Sequence, residues 1–397
     1  MKGKLYLRTR YSELSPVNCN DLKNPTLASN PMPNNETALQ DLLNKAARTT
    51  YTIPAQDPWP PHSFLHSQRN LKTAPKKTNH TKGELHSRNP HRAPYDFPRL
   101  IEACPELKHF LVPHPLSGDT IDFADPDAVK MLNRALLKYH YSVEHWDIPR
   151  GYLCPPIPSR ADYLHYVADL LAENDAAKIP RGPSVAVLDI GVGANCVYPL
   201  IGVHEYRWRF VGTDVDPISV NWANQLVAAN SVAEKIQCRH QPAMDAVFKN
   251  IVRPGEAFAL SICNPPFHSS PAEAAAGTLR KLKNLGGGKP AKAVLNFGGQ
   301  SNELWCHGGE AAFVRRMILE SAARPELCIW FTTLVSKQGT LPAIYRELGK
   351  VRAIDVRTLV MFAGQKQSRI VAWTFLSANE RKTKLGKLEP PRNEERR

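Results

Sequence analysis

The chain has 397 residues and a formal net charge of +14. Hydrophobic residues make up 42% and charged residues 22%, a globular balance that excludes a collagen-like repeat, a coiled-coil rod and a wholly disordered chain. No apolar run reaches about 18 residues, so no transmembrane helix is expected.

Residues 1–84 are rich in Pro, Asn, Ser and Thr, and only ALQDLLNKAA shows any apolar patterning. Up to Arg92 there are 14 Lys/Arg against 6 Asp/Glu, which is +8 of the total charge. A segment this polar and charged cannot offset its ordering entropy by burial. It is expected to be a disordered basic extension, either a solvated tail or an arm that touches phosphates. The opening MKGKLYLRTRYSELSP lacks the apolar stretch of a secretory signal.

Residues 85–180 read as a helical module. DFPRLIEACPELKHFLV over 96–112 carries apolar residues at helical spacing. DPDAVKMLNRALLKYHY follows, with Val129, Leu132, Leu136 and Leu137 on one stripe, Asp125 as N-cap and Pro126 at the first helical position. SRADYLHYVADLLAEN repeats the pattern after the Pro-broken loop YLCPPIPSR.

Residues 181–378 change texture. VAVLDIGVG is an apolar strand running into glycines, and WRFVGTDVD is a strand ending in acids. PISVNWANQLVAAN is a helix, KIQCRH a short strand and FALSICNPPF a fourth strand. AAFVRRMILESAA and LPAIYRELGK are helices around the strand LCIWFTTLVS, and the strands AIDVRTLVMF and SRIVAWTFL close the set. Alternating strands and helices predict an α/β, doubly wound mixed sheet of the Rossmann-like type. The remaining 379–397 read as a charged, disordered tail.

Doubly wound sheets bind ligands beyond the carboxyl ends of their strands. Three motifs stand at such ends. In LDIGVGANC, Gly191 and Gly193 allow a close backbone approach, and Asp189 could receive a cationic amine. Cys196 occupies the sixth position, where a nicotinamide fingerprint would carry glycine. Asp214 closes the second strand, where a carboxylate commonly accepts two ribose hydroxyls. Asp216 is better read as a helix cap. The third motif is NPPF, made of Asn264, Pro265, Pro266 and Phe267. Two prolines freeze the corner and remove two N–H donors. The Asn264 side-chain oxygen and the Pro265 carbonyl can then hold both hydrogens of a planar amino group, with Phe267 as a stacking face.

These residues resemble the amino-directed, S-adenosylmethionine-dependent methyltransferases, which carry [DNS]PP[FYW] at this place. HSRNPHRAPYDFPRLIEACPEL, IDFADPDAVKMLNRALLKYHY, WDIPRGYLCPPIPSRADYLHYVADLL, NFGGQSNELWCHGGEAAFVRRMILES and GQKQSRIVAWTF extend the likeness to the RlmF-type ribosomal large-subunit RNA adenine-N6 methyltransferases. The resemblance covers about residues 86–375. It implies S-adenosylmethionine as methyl donor, no metal, and transfer to the 6-amino nitrogen of one adenine in 23S ribosomal RNA. It also implies a catalytic role for Asn264, Pro265, Pro266 and Phe267, and donor binding by Asp189, Gly191, Gly193 and Asp214. The helical module is then an RNA-binding element. Residues 1–84 have no counterpart in the family core.

In AAGTLRKLKNLGGGKPAKAVL, between NPPF and NFGG, Arg280, Lys281, Lys283, Lys289 and Lys292 stand without an acid around three consecutive glycines. A mobile phosphate-gripping loop is expected there. Lys337 and Arg369 are further candidate RNA contacts, and Glu310 either shapes the site or starts a helix. The eight cysteines form no CxxC pair, which fits a reduced, cytoplasmic protein without zinc; a monomer is expected. The competing readings are a guanine 2-amino methyltransferase, a glutamine-directed protein methyltransferase and a non-catalytic RNA-binding or assembly factor.

Overall fold

A computed structural model describes residues 84–114, 118–173, 178–270, 272–273, 301–364 and 366–387. The expected basic extension (up to residue 83) and Arg280, Lys281, Lys283, Lys289 and Lys292 lie outside the described residues, as does the tail from 388.

Helix α1 (Phe97–Ala103) starts on Asp96, whose side chain accepts the Arg99 N–H. It stops before Pro105, and the chain continues in 3₁₀ form over Pro105–Phe110. The single helix expected over 96–112 is therefore two pieces, broken where proline cannot donate. A hairpin not foreseen from sequence follows, β1 (Leu111–His114) against β2 (Gly118–Ile121). Helix α2 (Pro126–Tyr141) begins as expected on Asp125, which accepts the Asp127 N–H, and ends at Ser142 in the left-handed conformation. Helix α3 (Ile157–Ala172) follows the Pro-broken loop.

The sheet then begins. β3 (Ala186–Ile190) leads to α4 (Val197–Tyr206), and β4 (Arg209–Asp214) to α5 (Pro217–Ala229). β5 (Ile236–His240) and β6 (Phe258–Cys263) come next, then one helical turn (Ser301–Leu304) and α6 (Gly309–Ala322). β7 (Cys328–Val335), α7 (Leu341–Lys350), β8 (Asp355–Ala363), β9 (Lys366–Thr374) and α8 (Ala378–Gly386) complete the described elements. The strand order is β5-β4-β3-β6-β7-β9-β8, and β9 alone runs against its neighbours. β3, β6 and β7 are buried along their whole length, covered on both faces, so they read as unbroken apolar runs.

Side chains alternate across β3. Val187 joins a core with Leu132, Leu136, Tyr163 and Val167 of α2 and α3. Leu188 and Ile190 join a core with Met317 and Ile318 of α6 and with Phe331 and Trp373. The described helices of 85–180 thus roof one face of the sheet and share its core. The disordered tail expected from residue 379 needs correcting. Ser377 and Glu380 form a capping box that starts α8, Arg381 lies 4.8 Å over the Trp330 ring, and Leu385 is buried.

Candidate functional site

The switch point of the sheet is β3, which pairs with β4 on one side and β6 on the other. Ile190 stands opposite Thr213 and Cys263, so Gly191, Asp214 and Asn264 leave the sheet abreast. Around them lies a cavity of about 530 Å³, walled by Gly191, Gly193, Asp214, Asn264, Pro265 and Pro266 among others. A hollow of about 640 Å³ opens elsewhere, at Ala186, Arg209 and Phe258. Those residues start their strands, the wrong end for a ligand in this architecture.

The glycine turn is tied to β4, with Gly191 and Val192 N–H both donating to the Thr213 carbonyl at 2.8 and 2.9 Å. Gly193 has φ of 63°, and a Cβ there would stand 2.9 Å from Asn195 Nδ2 and 3.6 Å from Glu303 Oε1. Only glycine fits this wall without a shift. Cys196 also takes a left-handed φ of 50° and is wholly buried.

Asp214 accepts the Gly193 N–H on Oδ2 and the Asp216 N–H on Oδ1, each at 2.9 Å. Burial still pushes its carboxyl up to about 6. Asp216 caps α5 and accepts the Tyr152 hydroxyl at 2.8 Å. Burial would raise its pKa, but the Tyr152 hydroxyl and the donors of Ile218 and Ser219 outweigh that and hold it below the usual range. The cap reading of Asp216 is the structural one.

Asp189 shares the face of Val187 and is fully buried, with neither carboxylate oxygen hydrogen-bonded among the described residues. Burial, then the nearby Asp214, push its pKa well above the carboxylate range, and Arg160 opposes them. Asp189 does not line the cavity, so its expected grip on a cationic amine is corrected. It stands behind the turn because strand alternation points it into the helical roof.

At the corner after β6, Asn264 lines the cavity and its Oδ1 is buried without a partner among the described residues. The preceding Cys263 N–H donates to the Tyr163 hydroxyl at 3.3 Å, and that hydroxyl meets Thr332 Oγ1 at 2.8 Å. Downstream, His268 N–H donates to the Leu304 carbonyl and Cys306 N–H to the His268 carbonyl, both at 3.0 Å. The corner is thus braced from both sides. Phe267 is half-buried and does not line the cavity.

Other wall residues escaped the sequence reading. Arg160 of α3 brings a cation, Glu303 accepts the Leu153 N–H at 3.1 Å, and Trp305 adds an indole. Glu310, by contrast, is buried and accepts from Ser336 N–H and Oγ at 2.8 and 2.6 Å and from Thr340 Oγ1 at 2.7 Å. It ties the end of β7 rather than facing the cavity. Lys337 is half-exposed and pairs with Glu273 at 2.7 Å. Arg369 is 8% exposed and donates to Gln338 and Gln367 at 3.1 and 3.0 Å. Its placement as a surface RNA contact is corrected, since β9 lies between β7 and β8 and draws this side chain inward. The HSRNPHR segment clasps α3: Arg88 pairs with Asp169 at 2.7 Å, and His86 N–H donates to Asp162 at 2.8 Å. Among the described residues no group of three His, Cys, Asp or Glu could hold a metal, and no helix is long and apolar enough to cross a membrane.

Residues 79–377 match a family model described as RNA methyltransferase. Curated relatives named ribosomal RNA large subunit methyltransferase F include one from Serratia proteamaculans, 53% identical over 75% of this chain and 90% of its own. Another, from Stutzerimonas stutzeri, is 54% identical over 75% and 92%. Among solved structures, the human METTL16 catalytic domain in complex with a MAT2A 3′UTR hairpin matches with TM-score 0.64 and 27% identity over 74% of this chain and 96% of that one. The human METTL16 N-terminal domain in complex with SAH matches with TM-score 0.59 and 26% identity over 74% and 100%.

Proposed function

Since the chain belongs to the RNA methyltransferase family of the large-subunit ribosomal RNA methyltransferase F enzymes, we propose that it methylates the 6-amino nitrogen of one adenine in 23S ribosomal RNA, with S-adenosylmethionine as donor. The observation that carries the reading is that Asn264, in the same cavity wall as Gly193 and Asp214, has a buried Oδ1 with no partner among the described residues. A buried acceptor left unmet costs free energy unless a ligand donor arrives.

The donor fits the residues present. Gly191 and Gly193 would give its adenosine and amino-acid portions backbone to lie against, and Asp214, in the same wall, would accept ribose hydroxyls with its remaining lone pairs. Arg160, in the same wall, would pair with its carboxylate. Bound there, it supplies an electrophilic methyl group on a sulfonium sulfur.

The chain's own residues then act on the amine. Asn264 Oδ1 and the Pro265 carbonyl accept its two hydrogens, which draws the nitrogen toward tetrahedral geometry and frees its lone pair. Both acceptors are neutral, so they orient the amine without removing a proton, and the proton is lost after transfer. The braces on Cys263 and His268 keep these acceptors still, so orientation supplies most of the rate. Phe267 offers its ring to the base from beside the corner. Phosphate contacts fall to Lys281, Lys283, Lys289 and Lys337, and Lys337→Ala would lower the salt slope of RNA binding by about one.

The test is mass spectrometry of nucleosides from 23S ribosomal RNA of a strain lacking the protein. One N6-methyladenosine disappears and returns with the wild-type gene. An unchanged nucleoside profile would exclude the reading.

A further inference from the structure

A second residue of the cavity wall carries a buried polar atom of its own. Trp305 lines the wall, and its indole Nε1 is buried without a hydrogen-bond partner among the described residues. An indole N–H can only donate, and buried tryptophans normally find an acceptor. The residue is not free to seek one elsewhere. The bonds from His268 to Leu304 and from Cys306 to His268, both 3.0 Å, bracket Trp305 and fix its backbone to the segment that carries Asn264. Two residues of one cavity wall thus each carry a buried polar atom unmet among the described residues, one an acceptor and one a donor, on two segments locked together.

That pair complements a base edge that carries a ring acceptor beside its amine. The Asn264 oxygen asks for an amine, and the Trp305 N–H asks for an acceptor beside it. Adenine carries its amine between two ring acceptors, N1 and N7. Guanine has an acceptor on one flank of its amine only, N3, with a ring N–H on the other, and hypoxanthine offers a carbonyl where Asn264 needs a donor. We propose that Trp305 is a specificity-determining residue whose indole N–H donates to N1 or N7 of the target adenine. The proposal rests on the adenine reading above and adds the group that registers the ring.

Trp305→Phe removes the donor and keeps an aromatic ring. The substrate is a transcript of the large-subunit RNA segment around the mapped adenine, made with adenosine, 1-deazaadenosine or 7-deazaadenosine at that position. Wild-type enzyme is expected to lose roughly ten- to hundredfold in kcat/KM on one analogue, as one buried hydrogen bond is lost. Trp305→Phe loses a similar factor on adenosine, loses nothing further on that analogue, and keeps wild-type donor affinity by calorimetry. Two results overturn the proposal: wild-type turnover of adenosine by Trp305→Phe, or a loss of equal size on all three transcripts. Failure of the wild-type enzyme to methylate the adenosine transcript would instead overturn the function it rests on.

Discussion

Asp214 and Asn264 end strands on opposite sides of β3, and the fold treats them in opposite ways. Both Asp214 oxygens already accept backbone N–H groups at 2.9 Å. Asn264 Oδ1 is buried and accepts nothing among the described residues. A carboxylate pinned by the main chain is a fixed frame, ready to hold a ligand's hydroxyls in one orientation. A braced but unmet amide oxygen is a vacancy for a donor that arrives with the substrate. On the proposed function, the difference separates a region that would bind the methyl donor from one that would act on the base.

Substitutions can break this division. Asn264→Ala is expected to lower the methyl-transfer rate by about 10²–10³-fold, the scale of losing one preorganised polar group at a reacting centre. Calorimetry should find its donor affinity within about threefold of wild type, since the change is confined to the substrate side. Asp214→Ala should do the reverse. Donor affinity falls by roughly 30–100-fold, the loss of hydrogen bonds to a charged group, while the rate at saturating donor changes little.

Asp214 also predicts a pH dependence. Its carboxyl titrates near 6 because burial raises it. The ionised form is the better acceptor, so donor affinity should be level above pH 6. Below that it should weaken as the proton occupies the carboxylate, by up to about tenfold per pH unit. Asp214→Asn should flatten the profile between pH 5 and 7. A wild-type profile that stays flat there would remove Asp214 from the donor site.

The brace behind the corner gives the smallest effect. Tyr163→Phe deletes the hydroxyl that accepts from Cys263 N–H and meets Thr332. Stability should fall by about 1–2 kcal/mol in denaturant unfolding, and the rate should fall by less than for Asn264→Ala.

The same contrast explains what sequence could tell. β3, β6 and β7 are covered on both faces, so they read as apolar runs, and glycine marked the end of β3, an acid that of β4 and diproline that of β6. Chemistry that depended on chain crossings was invisible. Glu303 meets Leu153 N–H across 150 positions, and Arg160 reaches the cavity from a helix assigned to another module. Asp189 was placed in the wall because its position ahead of the glycines suggested it, whereas alternation along β3 turns it into the roof. The helix over 378–386 had a legible capping box in Ser377 and Glu380, but its anchor is Trp330, far away in the chain.

The central claim is that a braced diproline corner orients an adenine amine while a separate frame holds the donor. Its most direct test takes ribosomal RNA from a strain lacking the protein, with wild-type and Asn264→Ala enzyme at equal, saturating occupancy by methyl-labelled donor. The account predicts a single labelled N6-methyladenosine from the wild type and essentially none from the variant. Label on a guanine amine, or wild-type turnover by Asn264→Ala, would contradict it.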